Sequence, residues 1–141
     1  MRGDLILRVL AKLLIPFILL FGLYVQFHGD FGPGGGFQAG VILAAAVIFY
    51  GLIFGLDDAR RLVPEGLVES MMAIGVLIYG GVGVAGLLLG GHYLDYFVLD
   101  PNPVHGQHRG IFWVEVGVAV TVAGVMLKVF YMFADRSKAD E

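Results

Sequence analysis

Charged and polar residues are gathered into a few short clusters along this chain, and long uncharged runs separate them. Residues 9–27 form an apolar run after a charged start, residues 37–56 carry no formal charge over 20 positions, and residues 70–91 carry none over 22. A fourth run, 111–134, contains Glu115 and Lys128. About 20 apolar residues at 1.5 Å rise cross the hydrocarbon core as a helix. The pattern therefore predicts four spans, at 5–27, 37–56, 67–90 and 111–134. Strands are not expected, because no alternating segment of roughly ten residues is present. The expected fold is all-α: a polytopic membrane protein with four transmembrane helices in a single membrane domain over 1–141.

Composition agrees. The chain is 58% hydrophobic and 15% charged, with a mean hydropathy of +0.84, which excludes an ordinary soluble domain. The first apolar run is longer than a signal-peptide core, and no small-x-small cleavage site follows before His28, so it is read as a retained span. With no cysteine, disulfides and thiolate metal sites are excluded.

Charge sorting predicts the topology. Arg2, Arg8 and Lys12 precede or open the first span, Arg60 and Arg61 lie between the second and third, and Lys128, Arg136 and Lys138 close the chain. Only Arg109 falls elsewhere. The positive-inside rule then places both termini and the 57–66 loop in the cytoplasm, with 28–36 and 91–110 as external loops. His28, His92, His105 and His108 all fall on the external side.

No internal repeat stands out, and no soluble stretch is long enough to build a core of its own. Small residues recur at helical spacing instead. Gly36 and Gly40 form a G-x-x-x-G pair extended by Ala44; Gly51 with Gly55 and Gly86 with Gly90 form others. In lipid such faces permit close backbone approach. Four helices offer few partners for so many, so docking onto other membrane subunits is expected, weighed against packing within the chain.

A charge inside a span is a functional-site hypothesis by default. With the fourth span centred near residue 122, Glu115 lies about 11 Å from the midplane. An ion-path or proton-relay role competes with a polar contact to a neighbouring subunit. Lys128 can snorkel to the headgroups along its stem. The two are roughly 19 Å apart along one helix and cannot pair. Glu65 and Glu69 suit the positive start of the third span. Asp4, Arg8 and Lys12 share a face at i, i+4 spacing, and Pro16 removes one backbone bond from the first span. His105 and His108, with His92 nearby, could hold a metal or sense pH, but solvated loop histidines are the expectation.

The segment between the first two spans is the most distinctive: His28, Gly29, Asp30, Phe31, Gly32, Pro33, Gly34, Gly35, Gly36, Phe37, Gln38, Ala39, Gly40. Its glycines permit sharp turning or close approach. Turn carbonyls with Gln38 and Asp30 offer oxygen ligands, yet a helix N-terminus is positive and disfavours a cation. Packing is the preferred role, with Asp30 and His28 as entrance groups.

Residues Pro33, Gly34, Gly35, Gly36, Phe37, Gln38, Ala39 and Gly40, preceded by His28, resemble the signature of the MnhB subunit of Mrp-type multisubunit cation/proton antiporters, the MnhB family. The resemblance extends to size and span number. It implies a small cell-membrane subunit taking part in Na⁺/H⁺ antiport. The implied partners are other membrane subunits, including large ones similar to the proton-pumping subunits of respiratory complex I. Related domains occur in membrane-bound hydrogenase-type complexes, so a structural or assembly subunit of such a complex is the alternative. Beyond these subunits, Na⁺, H⁺ and the lipid bilayer, no nucleic acid or cofactor is expected, because no nucleotide-binding loop is present. Enzyme chemistry is not expected either, since H-E-x-x-H and G-x-S-x-G motifs are missing. No span carries the polar stripe that a stand-alone channel needs.

Overall fold

A computed structural model describes the backbone of residues 2–29, 31–32 and 34–139 and the side chains of 5–29, 31–32 and 34–136. Asp30 and Pro33, singled out above, lie outside the described residues, as does the side chain of Asp4.

The chain is all-helical among the described residues: α1 (Arg2–His28), α2 (Gly36–Phe54), α3 (Leu56–Leu62), α4 (Glu65–Leu88) and α5 (Pro103–Ala139), with a 3₁₀ turn at Tyr96–Leu99. Four of these helices are long and apolar enough to cross a membrane, over Leu5–His28, Gly36–Phe54, Glu65–Leu88 and Pro103–Arg136. Helix α1 runs unbroken through Pro16.

The packing follows from the small residues. Gly36 lies against Glu115, Gly40 against Ala119 and Gly51 against Phe130. The two numberings rise together, so α2 and α5 run parallel. Gly117 meets Gly75 and Tyr79, while Gly124 meets Met72 and Val68, so α4 and α5 run antiparallel. Gly22 meets Leu43 and Ile42, and Arg8 and Lys12 lie over the Phe54 ring, so α1 returns antiparallel along α2. Helix α5 is thus flanked by α2 on one side and α4 on the other, with α1 resting chiefly on α2.

This arrangement revises the expectation for the small faces. Gly36, Gly40, Gly75, Gly117 and Gly124 are occupied by the chain's own helices. Without methyl groups at these positions the backbones approach closely, which replaces the missing hydrophobic drive with dispersion contact. Gly55 and Gly90 serve differently. Their φ values of 110° and 88° are left-handed, where glycine carries no Cβ penalty, and they end α2 and α4. The Gly86/Gly90 pair is therefore a helix end and not a helix face. Gly66, Gly80 and Gly81 face open space.

A second difference concerns α5. Residues 103–110, expected as external loop, are its first two turns. Asp100 accepts from the Asn102 amide at 2.9 Å, and the Asn102 side chain in turn accepts from the Val104 amide at 3.1 Å. The Gly106 amide donates to the Asn102 carbonyl at 3.0 Å. Asn102 is thus the N-cap and Pro103 the first helical residue, where its missing N–H costs nothing. At 37 residues and 1.5 Å each, α5 is about 55 Å long and outreaches a hydrocarbon core of about 30 Å.

Candidate functional site

Two clusters of polar side chains occupy opposite ends of the bundle. The first is built around the glycine segment between α1 and α2. The Phe31 amide donates to the His28 carbonyl at 3.0 Å, closing a turn at the end of α1. The chain then doubles back: a Cβ on Gly34 would stand 3.1 Å from the Val25 carbonyl oxygen, and one on Gly29 only 2.7 Å from the Gly35 Cα. Gly35, with φ 129°, precedes α2 as its N-cap and has no side chain to cap it.

Into this notch comes Glu115 from α5. One carboxylate oxygen lies 2.8 Å from where a Gly29 Cβ would be, and the other 3.0 Å from the corresponding point on Gly35. A Cβ on Gly36 would collide with the Glu115 carbonyl oxygen itself. The carboxylate therefore sits beside the first turn of α2, where the orphan amides and partial positive charge of a helix start favour an anion. The hinge glycines are required by this approach: any side chain at 29, 35 or 36 would displace the acid.

Gln26 stands on the other wall. It is 7% exposed, and neither its amide nitrogen nor its oxygen has a hydrogen-bond partner among the described residues. Gln26 and Glu115 line a common cleft of about 320 Å³ with His108 and Arg109. Phe27 stacks on Phe112 at 5.7 Å between ring centres, and Phe31 on His108 at 6.2 Å. Arg109 pairs with Asp100 at 2.6 Å.

The second cluster joins α3, α4 and α5. Lys128 donates to Glu69 at 2.7 Å and to Glu65 at 3.2 Å. The second oxygen of Glu65 meets Arg60 at 3.2 Å, and Arg60 also pairs with Asp135. Arg60 lies over the ring of Tyr131 at 5.4 Å. The hydrogen bond to Asp135 pushes the Arg60 guanidinium above its ordinary pKa, against the opposing pull of desolvation. The Tyr131 hydroxyl donates to the Val63 carbonyl at 2.9 Å, fixing the α3–α4 connection to the core formed with Val68, Ala123 and Leu127.

The sequence-derived candidates are thus separated by the fold. Glu115 enters the hinge, while Lys128 lies roughly 19 Å further along the same helix, paired with the two acids expected only to complement the α4 N-terminus. His28 stacks on Tyr24 at 5.1 Å and does not line the Glu115 cleft. Gln38 is exposed on α2, its side-chain oxygen 3.7 Å from the Gly35 Cβ position. His105 and His108 lie on the first turns of α5, and no three His, Asp or Glu side chains converge on a metal position among the described residues. Sequence reasoning missed Gln26. Its signal was present: an amide within the apolar run 9–27, where a polar side chain is costly unless paired.

Comparison with known proteins places the chain. Residues 6–128 match the family model described as a domain related to the MnhB subunit of Na⁺/H⁺ antiporter. A Na⁺/H⁺ antiporter subunit from Alkalihalophilus pseudofirmus is 33% identical over 130 residues, covering 85% of this chain and 90% of that protein. A putative antiporter subunit mnhB2 of Staphylococcus aureus strain Newman is 32% identical over 131 residues, covering 91% and 92%. With the signature glycines closed around Glu115 and the match running through all four long helices, the chain belongs to the MnhB family.

Proposed function

We propose that this chain is the MnhB subunit of a multisubunit Na⁺/H⁺ antiporter, a small multi-pass component of the cell membrane that works among other membrane subunits. The observation that carries the reading is the family match over 6–128. The two antiporter relatives are matched over 90% and 92% of their own length, so the likeness is to whole subunits. The chain is a transporter component and not an enzyme.

The geometry supports a division of labour between the two ends. The Lys128, Glu65, Glu69, Arg60 and Asp135 cluster is mutually paired and ties three helices together, so its role is structural. Glu115 is the ion-path residue, because an acid within a span is expensive to keep and the signature glycines make room for it. Gln38, His28 and Asp30 belong to the external approach to that acid. Both termini face the cytoplasm, on the strength of the basic residues gathered at that end. The partners include large subunits of the complex-I-like type, and the exposed apolar side chains of α1, such as Leu13, Phe17 and Leu20, meet these subunits or lipid.

The test is Glu115→Gln in the assembled complex. The expected result is normal complex level with antiport in vesicles reduced at least tenfold. Unchanged antiport would overturn the ion-path role and leave an assembly role alone. Native mass after mild solubilisation addresses the partners: several distinct hydrophobic chains are expected, and a homo-oligomer of this chain alone would refute the complex.

A further inference from the structure

We propose that the face of α5 carrying Arg109 and Trp113 binds one two-chain glycerophospholipid, its phosphate on Arg109 and an acyl chain in each of two flanking apolar clefts. The site does not rest on the ion-path reading of Glu115.

Arg109 and Trp113 stand one turn apart on α5, and both line two separate clefts. The first, of about 320 Å³, runs between α5 and the end of α1, with Phe27, Phe31 and Phe112 in its walls. The second, of about 350 Å³, runs between α5 and α4 past Leu77, Gly81 and Ala85. The two residues therefore form a ridge between two slots. The surface of both slots is overwhelmingly apolar, and Phe31, Leu77 and Trp113 are left exposed along them. Nothing lies within 4 Å of a Cβ on Gly81, which keeps the second slot open.

Depth along α5 matches the parts of a lipid. From a midplane near residue 122, Arg109 stands about 20 Å out and Trp113 about 14 Å out at 1.5 Å per residue. The hydrocarbon half-thickness is about 15 Å, and headgroups extend it to about 20–22 Å. Arg109 is thus at phosphate level, and Trp113 is at the boundary that indoles favour. Gly117 packs against Gly75 and Tyr79, which puts Leu77 about 8 Å from the midplane. From Ala85 down to Leu77 the second slot descends about 12 Å, into the layer that acyl chains fill.

The guanidinium is held in place from one side. Asp100, 12% exposed, meets Arg109 at 2.6 Å, while its other oxygen accepts from the Asn102 amide. The Arg109 side chain stays 65% exposed, and its remaining donors suit a phosphodiester. Asp100 also favours a lipid over dissolved phosphate. It offsets the one Lys or Arg charge at this end, so a free anion gains little, whereas two apolar slots bring a tethered phosphate to its place. A helix from a neighbouring subunit fits less well. At about 10 Å across, it would rest on the Trp113 ridge and leave both slots empty.

The assembled complex in phospholipid vesicles tests this, with a trace of phospholipid carrying photoreactive acyl chains. Adducts are expected on segments 77–85 and 109–113, at least fivefold above those from a diacylglycerol with the same chains. The excess should vanish in Arg109→Gln and survive in Arg109→Lys. It should also fall in Gly81→Phe, which fills one slot and leaves the cation alone. Equal labelling by the two probes, or an unchanged excess in Arg109→Gln, would overturn the proposal. So would failure of both probes with cross-links to another subunit instead, which would make this face a protein interface. The comparison of probes needs no variant, so misfolding cannot mask it. Trp113 is the chain's single tryptophan, and the purified chain gives a second reading. A phospholipid with brominated chains, at low mole fraction, should quench its fluorescence at least threefold more than the matching diacylglycerol. Equal quenching would refute the site.

Discussion

Gly36 and Glu115, 79 positions apart in the sequence, touch backbone to backbone: the Glu115 carbonyl occupies the space that a Gly36 Cβ would need. One turn further along both helices, Gly40 repeats the contact with the Ala119 carbonyl, 2.6 Å from its Cβ position. The glycine segment of this chain is therefore a lock between two parallel spans, and the acid projects from the lock into the hinge.

Adding a single methyl group to this lock is expected to be costly. Gly36→Ala must separate α2 from α5 or shift the Glu115 backbone, at about 1–3 kcal/mol as for other overpacked sites. Gly81→Ala, in open space on α4, is expected to be neutral or to gain about 0.5–1 kcal/mol from helix propensity. Thermal unfolding of the purified protein in detergent distinguishes them; equal effects would show that the α2–α5 approach is looser than these contacts require.

Tyr131 is 1% exposed, and its hydroxyl donates to Val63. Tyr131→Phe leaves the carbonyl without this donor and is expected to cost about 1 kcal/mol, read in the same unfolding assay. Tyr131→Leu also loses ring packing and the Arg60 contact, so a larger loss is expected there.

The Lys128 cluster makes an asymmetric prediction. Glu69→Gln leaves Lys128 paired with Glu65, whereas Lys128→Met leaves Glu65 and Glu69 facing one another across a turn without their shared cation. Lys128→Met should therefore lower the yield of folded protein more than Glu69→Gln. High salt should narrow the difference, because exposed pairs are screened. If antiport falls in Lys128→Met at unchanged protein level, the cluster lies on the ion path after all.

Asn102→Ala removes the cap of α5. A loss of about 1 kcal/mol is expected, confined to the first turns, so amide hydrogen exchange should rise at residues 104–108 and stay unchanged near Leu127.

Much of the fold was legible because each span is a local property: composition over about 20 residues decides whether a helix can cross lipid. The start of α5 was harder. Gly106, Gln107, His108, Arg109 and Gly110 have loop-like chemistry, and the Asp-Pro-Asn-Pro run read as a turn. The Asn102–Pro103 pair nonetheless carries the cap-then-proline order of a helix start, which weighs more than the polarity of the next two turns. The site was partly legible. Glu115 and the glycine hinge each stood out, but their contact joins distant segments, and no periodicity encodes which helix a glycine face will meet. Lys128 likewise resembled a snorkelling residue because its acidic partners lie 59 and 63 positions away.

The central place of α5 also bears on how the molecule is made. The helix that fills the middle of the row leaves the ribosome after the other three long helices, so α2 enters the membrane before the partner that fills its glycine face is synthesised. Until then the notch at Gly29 and Gly35 is open, and α1 with α2 forms a hairpin lacking its keystone. A nascent chain halted before residue 115 therefore exposes its bare glycines to whatever helix is near, and the arrival of α5 is what retires that risk.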